Sequence, residues 1–170
     1  YITTEMVNKL LIQNQEELYN LPKDNLDLKE MERLLELDDM IKSAQVYLTV
    51  NGEVRTKVEQ RRPIARVQTG SVFYIDEDGL DMPLSPQHSA RVPLVTGVVE
   101  KDQLEAVYRM ALKIDTDSFL KTYVTEIHQN ETGSISLKMR VLDFEITVGR
   151  LDRLDEKMKN LKAFYQKAKK

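Results

Sequence analysis

Apolar residues recur at helical spacing from the start of the chain. Met6, Val7, Leu10 and Leu11 follow the hydroxyls of Thr3 and Thr4 and the early acid Glu5, which predicts a helix from about Thr4 to Gln13. Asn14 to Asn25 is polar, contains the breaker Pro22, and reads as a connector. Asp27 can cap a second helix that gathers Leu28, Met31, Leu34 and Leu35 on one face and ends near Leu37. The period then becomes two. Ala44, Val46, Leu48 and Val50 lie on one side of Asn51-Gly52 and Val54, Thr56 and Val58 on the other, the pattern of a hairpin. A two-residue Asn-Gly loop would set Val50 against Glu53 and Leu48 against Arg55, placing charges on the apolar face. A bulged loop with Gly52 left-handed instead aligns Leu48 with Val54, Val46 with Thr56 and Ala44 with Val58, and this register is expected.

From Gly70 the pattern changes to closely spaced strands with one intervening helix. Val72 to Ile75 and Leu80 to Met82 flank Asp76-Glu77-Asp78-Gly79 as a tight hairpin, and Pro83, Pro86 and Pro93 hold the next stretch irregular. Asp102 can cap a helix carrying Leu104, Val107, Tyr108, Ala111 and Leu112 and stopping near Asp115. Tyr123 to Gln129, Ser134 to Met139 and Phe144 to Val148 read as an antiparallel series, with turns at Asn130-Glu131-Thr132-Gly133 and around Asp143. A last helix, with Asp152 as its cap, closes the chain. The expected fold class is α+β: a helix-helix-hairpin module over residues 1–68, then a mixed α/β domain over 69–170 with an antiparallel sheet and a C-terminal helix. The two are expected to meet between about Arg66 and Gly70, after the ladder-breaking Pro63 and at the connector Thr69-Gly70-Ser71.

Composition narrows the function classes. Twenty-five basic against 28 acidic residues leave a net charge of −3, without the basic excess that drives nucleic-acid binding. The absence of cysteine excludes disulfides, thiolate metal sites and cysteine nucleophiles. No apolar run is long enough to span a bilayer, and no signal segment opens the sequence as given. There is no Gly-x-Ser-x-Gly elbow and no glycine array for a phosphate. His88 and His128 lack metal-ligand spacing. Asp76, Glu77 and Asp78 suggest a calcium loop only superficially, because Gly79 stands fourth where that loop needs glycine sixth. Asp115 and Asp117, beside Thr116 and Ser118, read as helix caps rather than an acid/base pair. No catalytic residue, metal ligand or cofactor is expected. Arg55, Lys57, Arg61, Arg62 and Arg66 form a basic stripe, read as the solvated face of the hairpin and the strand after it, with anionic lipid headgroups or an acidic partner as the functional alternative.

The order of these signals resembles the extracytoplasmic part of the FtsQ/DivIB cell-division family. There a small POTRA module ends in a strand of E/Q-R-x-P-x-A type, matched here by Gln60, Arg61, Pro63 and Ala65 with Arg62 between. A β-rich domain then opens with Y-x-D-x-x-G (Tyr74, Asp76, Gly79), continues with P-x-x-x-G (Pro93, Gly97), and ends in a pattern met by Val148, Gly149, Lys157, Met158, Leu161 and Phe164. The resemblance implies a POTRA-like module at 1–68, whose first strand would precede Tyr1 along with a single membrane anchor. It further implies the periplasmic domain of a single-pass inner-membrane protein, a non-catalytic scaffold that binds FtsL and FtsB/DivIC-like proteins and couples them to septal peptidoglycan synthesis. Family members continue past the last helix into a strand whose edge receives the partner, a contact expected beyond Lys170. The alternative is a POTRA-type module of an outer-membrane assembly or secretion system that binds strands by augmentation.

Helical geometry supplies candidate contact residues. Leu154, Met158, Leu161, Tyr165 and Ala168 make a narrow stripe expected in the core, and Phe164 sits about 80° to one side of Leu154. Phe164 either widens the buried face or, with Lys157, Asn160 and Lys167 on its flank, borders the groove for an FtsB/DivIC-like partner, the aromatic as anchor and the lysines as rim. Lys159 points away.

Overall fold

A computed structural model describes residues 2–13, 27–85, 89–99, 104–141 and 145–168. The chain divides into two compact units, Tyr1–Arg62 and Pro63–Lys170. The expected connector at 14–25, the turn around Asp143, Asp102 and His88 lie outside the described residues.

The first unit consists of α1 (Thr4–Gln13), α2 (Leu28–Glu36), β1 (Ile41–Leu48) and β2 (Val54–Gln60). Thr3 Oγ1 accepts the Met6 N–H at 3.3 Å, and the Asp27 side chain accepts that of Glu30 at 3.1 Å, so each helix starts on a side-chain cap. Val7, Leu11, Met31, Leu35, Ile41, Ala44 and Val46 form its core. The hairpin takes the bulged register, with Leu48 opposite Val54, Val46 opposite Thr56 and Ala44 opposite Val58. Thr49 fixes the turn: its carbonyl accepts the Gly52 N–H, its hydroxyl accepts the Glu53 N–H, and its own N–H donates to the Glu53 carbonyl. Gly52 adopts φ +78°, the left-handed conformation that the parity of the two strands demands.

The second unit contains β3 (Pro63–Gln68), β4 (Val72–Asp76), β5 (Asp81–Met82), β6 (Leu94–Gly97), α3 (Glu105–Asp115), α4 (Ser118–Tyr123), β7 (Val124–Gln129), β8 (Ile135–Met139), β9 (Glu145–Gly149) and α5 (Leu154–Ala168). Among the described residues its strands run in the order β5-β4-β3-β6-β7-β8-β9. The expected antiparallel runs make the two wings, and β6 joins them by pairing parallel with both β3 and β7. The two compact units meet at Arg62/Pro63, a few residues before the expected 66–70. Ile64, Ala65 and Val67 are buried in the second core, which makes β3 an inner strand of the second unit rather than the last strand of the first, and Pro63 is tolerated because it is the first residue of that strand.

Two further elements differ from the sequence reading. The proline-flanked stretch expected to be irregular includes β6, and Asp117 caps the short helix α4 by accepting the Phe119 and Leu120 N–H groups. At the far end Arg153, at φ +49°, precedes α5 and its carbonyl accepts the Lys157 N–H. Asp152, expected as the cap, stands one residue too early and pairs with the Lys157 ammonium at 3.4 Å instead.

The family-type motifs are folding devices. Asp76 is buried, and its Oδ1 accepts the Asp78 and Leu80 N–H groups, which ties the β4–β5 turn together. The Tyr108 ring lies over Gly79, and its hydroxyl donates to the Glu77 carbonyl. Gly97 has φ +94°, and a Cβ there would stand 1.9 Å from the Gln129 carbonyl oxygen, so any side chain collides with the β7 backbone. That approach lets the Val98 N–H reach the same oxygen at 2.9 Å.

Candidate functional site

The helix α5 packs Met158, Leu161 and Tyr165 into the core, where Tyr165 meets Phe119 and Tyr123 at ring-centroid distances of 5.2 and 4.8 Å. Leu154 is half-buried, and Ala168, expected at the end of the buried stripe, is exposed. Phe164 falls on the flank, as helical spacing requires, and is 53% exposed. It borders a groove of about 470 Å³ between α5 and β9, floored by Ile146, Val148, Met158 and Leu161.

The structure brings Lys157 and Asn160 to the same groove. Lys157 is half-buried and held in place, its ammonium donating to the Arg150 carbonyl at 2.6 Å. Its charge and hydrogen bond lower the pKa of Asp152. Lys167 is exposed and stands outside the groove lining, so of the two lysines only Lys157 is a groove residue. Strand β9 ends the sheet: among the described residues no strand pairs with its outer side. Which strand forms the edge was hidden in the sequence, because the order depends on β6 entering the middle of the sheet.

The remaining candidates resolve into structural roles. Asp117, as the α4 cap, also pairs with Lys162. Burial raises its carboxyl pKa, but the Lys162 ammonium and the Leu120 and Phe119 N–H groups outweigh this and hold it below the usual carboxylate value. Asp115 pairs with Lys121 at 2.7 Å. His128 is half-buried, with Nδ1 2.9 Å from Thr96 Oγ1. The Thr96 hydroxyl donates to Glu126 at 2.8 Å, and Lys138 donates to both carboxylate oxygens of Glu126. For Glu126 too burial opposes ionisation and these partners prevail, lowering its pKa. A hydroxyl donating to a charge-paired carboxylate is a satisfied network on the sheet face and is not poised as a nucleophile. Among the described residues no group of three or more His, Asp or Glu side chains could hold a metal ion.

The basic stripe is split by the unit boundary. Arg55, which bonds Glu53 at 3.3 Å, and Lys57, Arg61 and Arg62 belong to the first unit, whereas Arg66 is half-buried on β3 in the second. No helix among the described residues is long and apolar enough to cross a membrane.

These features define a two-unit α+β chain in which a helix-helix-hairpin unit precedes a mixed sheet ending in an open edge beside an apolar groove. Residues 1–59 match the POTRA-like domain family, and residues 62–170 match the family described as FtsQ/DivIB, C-terminal related. The second match spans more than half of the chain, which therefore belongs to the FtsQ/DivIB family through this related C-terminal domain. Membership suggests a cell-division role and an extracytoplasmic setting in a family of non-catalytic division scaffolds. A comparison with curated proteins finds no match.

Proposed function

We propose that this chain is the periplasmic, non-catalytic part of a single-pass inner-membrane division protein. It binds FtsL and FtsB/DivIC-like proteins at the septum and couples them to septal peptidoglycan synthesis. The observation that carries this reading is Phe164, a large aromatic left 53% exposed at the rim of an apolar groove, next to a sheet edge with room for a further strand. An FtsB/DivIC-like segment lies along this flank of α5, with Phe164 as its anchor, Lys157 as a fixed charge on the near rim and Lys167 as an outer one. Aromatics concentrate binding energy at interface centres, and lysines are depleted there and belong to rims.

The test is recruitment in dividing cells. A fluorescent fusion of the full-length protein gathers at the septum, and Phe164→Ala reduces co-recruitment of the FtsB/DivIC-like partner while the protein remains folded. An even distribution of the fusion around the envelope contradicts the division reading. Normal partner recruitment by Phe164→Ala moves the contact elsewhere.

A further inference from the structure

The outer edge of β1, which pairs with no strand among the described residues, is occupied in an unusual way. Thr49 donates its N–H to the Glu53 carbonyl across the hairpin, so by the alternation of an antiparallel pair Tyr47 and Gln45 also point at β2. Ala44, Val46 and Leu48 then direct their N–H groups outward. Two of these are taken by side chains of α2: Val46 donates to Glu32 Oε1 at 2.8 Å and Ala44 to Glu36 Oε1 at 3.1 Å. The spacing makes this possible. Successive outward N–H groups on a strand recur every ~6.7 Å, and carboxylates one helical turn apart start from Cβ atoms ~6 Å apart. Met31 and Leu35 on α2 are buried in the same core as Ala44 and Val46, which holds helix and strand at this distance.

The geometry points to an acid latch: Glu32 and Glu36 occupy the acceptor positions of a neighbouring strand and keep the outer edge of β1 from pairing with a further one. The occupant it excludes is β1 of a second copy of this chain. An outward edge is the same surface on both copies and is self-complementary about a two-fold axis. Hydrogen bonds to a charged acceptor are stronger than those to a neutral carbonyl, so an incoming strand must displace the better partner. This inference is independent of the reading of the α5 groove, because it concerns the other unit.

The test begins with the unaltered 170-residue chain. In an NMR titration the amide-proton shifts of Ala44 and Val46 follow the carboxyl titrations of Glu36 and Glu32, while Gln45 and Tyr47 do not. Amide shifts at 44 and 46 that ignore those carboxyls overturn the latch. In Glu32→Ala/Glu36→Ala, amide exchange at 44 and 46 accelerates ~10–100-fold, the range expected on losing a charge-assisted hydrogen bond. Glu32→Gln/Glu36→Gln, which keeps carbonyl acceptors but loses their charge, falls between the two, with exchange faster than in the original chain by no more than ~10-fold. A synthetic peptide of the β1 sequence IKSAQVYL binds the alanine pair at least about 10-fold more tightly than the original chain. Equal binding, or unchanged exchange in the alanine pair, contradicts the proposal, and the titration decides alone if that variant fails to fold.

Discussion

Among the described residues of the first unit a two-stranded sheet lies against two helices around seven buried apolar side chains, and two of the outward N–H groups of β1, those of Ala44 and Val46, are met by Glu36 and Glu32. Among the described residues of the second, seven strands and three helices enclose 22 buried side chains, yet no strand there pairs with the outer side of β9. The smaller unit can least spare backbone hydrogen bonds, since a two-stranded sheet is marginal without support. The larger core can carry an unfilled edge and an exposed aromatic beside it. On the readings proposed above, the protein's own carboxylates close one edge, and the other, beside an apolar groove, is the one offered to a partner.

The comparison can be broken most severely at Gly97. Gly97→Ala forces a Cβ to 1.9 Å from the Gln129 oxygen at φ +94°, and strain plus displaced backbone should cost about 3–5 kcal/mol. A melting temperature near that of the original chain would show that the parallel β6–β7 junction is not so tight. Leu161→Ala, in the buried face of α5, should cost about 2–5 kcal/mol in denaturant unfolding.

Asp117→Ala removes the α4 cap and should cost about 1–2 kcal/mol, whereas Asp117→Asn, itself a good cap, should cost less. The folded-state pKa of Asp117 is depressed, so its contribution is fully present above the ordinary aspartate value of about 3.9. It is lost as pH falls through the depressed value. In Asp117→Asn that part of the acid sensitivity disappears; acid unfolding identical to the original chain's would place the sensitivity elsewhere. In the small unit Gly52→Val should cost about 1–2 kcal/mol through left-handed strain, and Asn51→Ala less. Equal costs at the two positions would refute the role given to the bulge.

Local periodicity and side-chain parity made much of the first unit legible. Placing charges on the apolar face was enough to reject the two-residue hairpin loop, and the register of Leu48, Val46 and Ala44 followed. The second unit was less legible where its structure depends on distant partners. β3 was assigned to the first module because its strand neighbours lie further on, β4 nearby and β6 some thirty residues away; β6 is four residues long and preceded by a proline, too short to show a period. For α4 the cap Asp117 was readable, but six residues of helix behind it were not. Phe164 was placed on the flank of α5 by helical geometry alone, while its groove depends on β9, whose place at the end of the sheet follows from topology.

The claim that recognition belongs to the second unit is tested most directly by calorimetric titration of the full-length protein with the ectodomain of an FtsB/DivIC-like partner. Phe164→Ala should weaken binding by at least about 1 kcal/mol, roughly fivefold, while lowering stability less than Leu161→Ala does. Unchanged affinity in Phe164→Ala, or unfolding as ready as that of Leu161→Ala, would make Phe164 an ordinary packing residue and place the interface elsewhere.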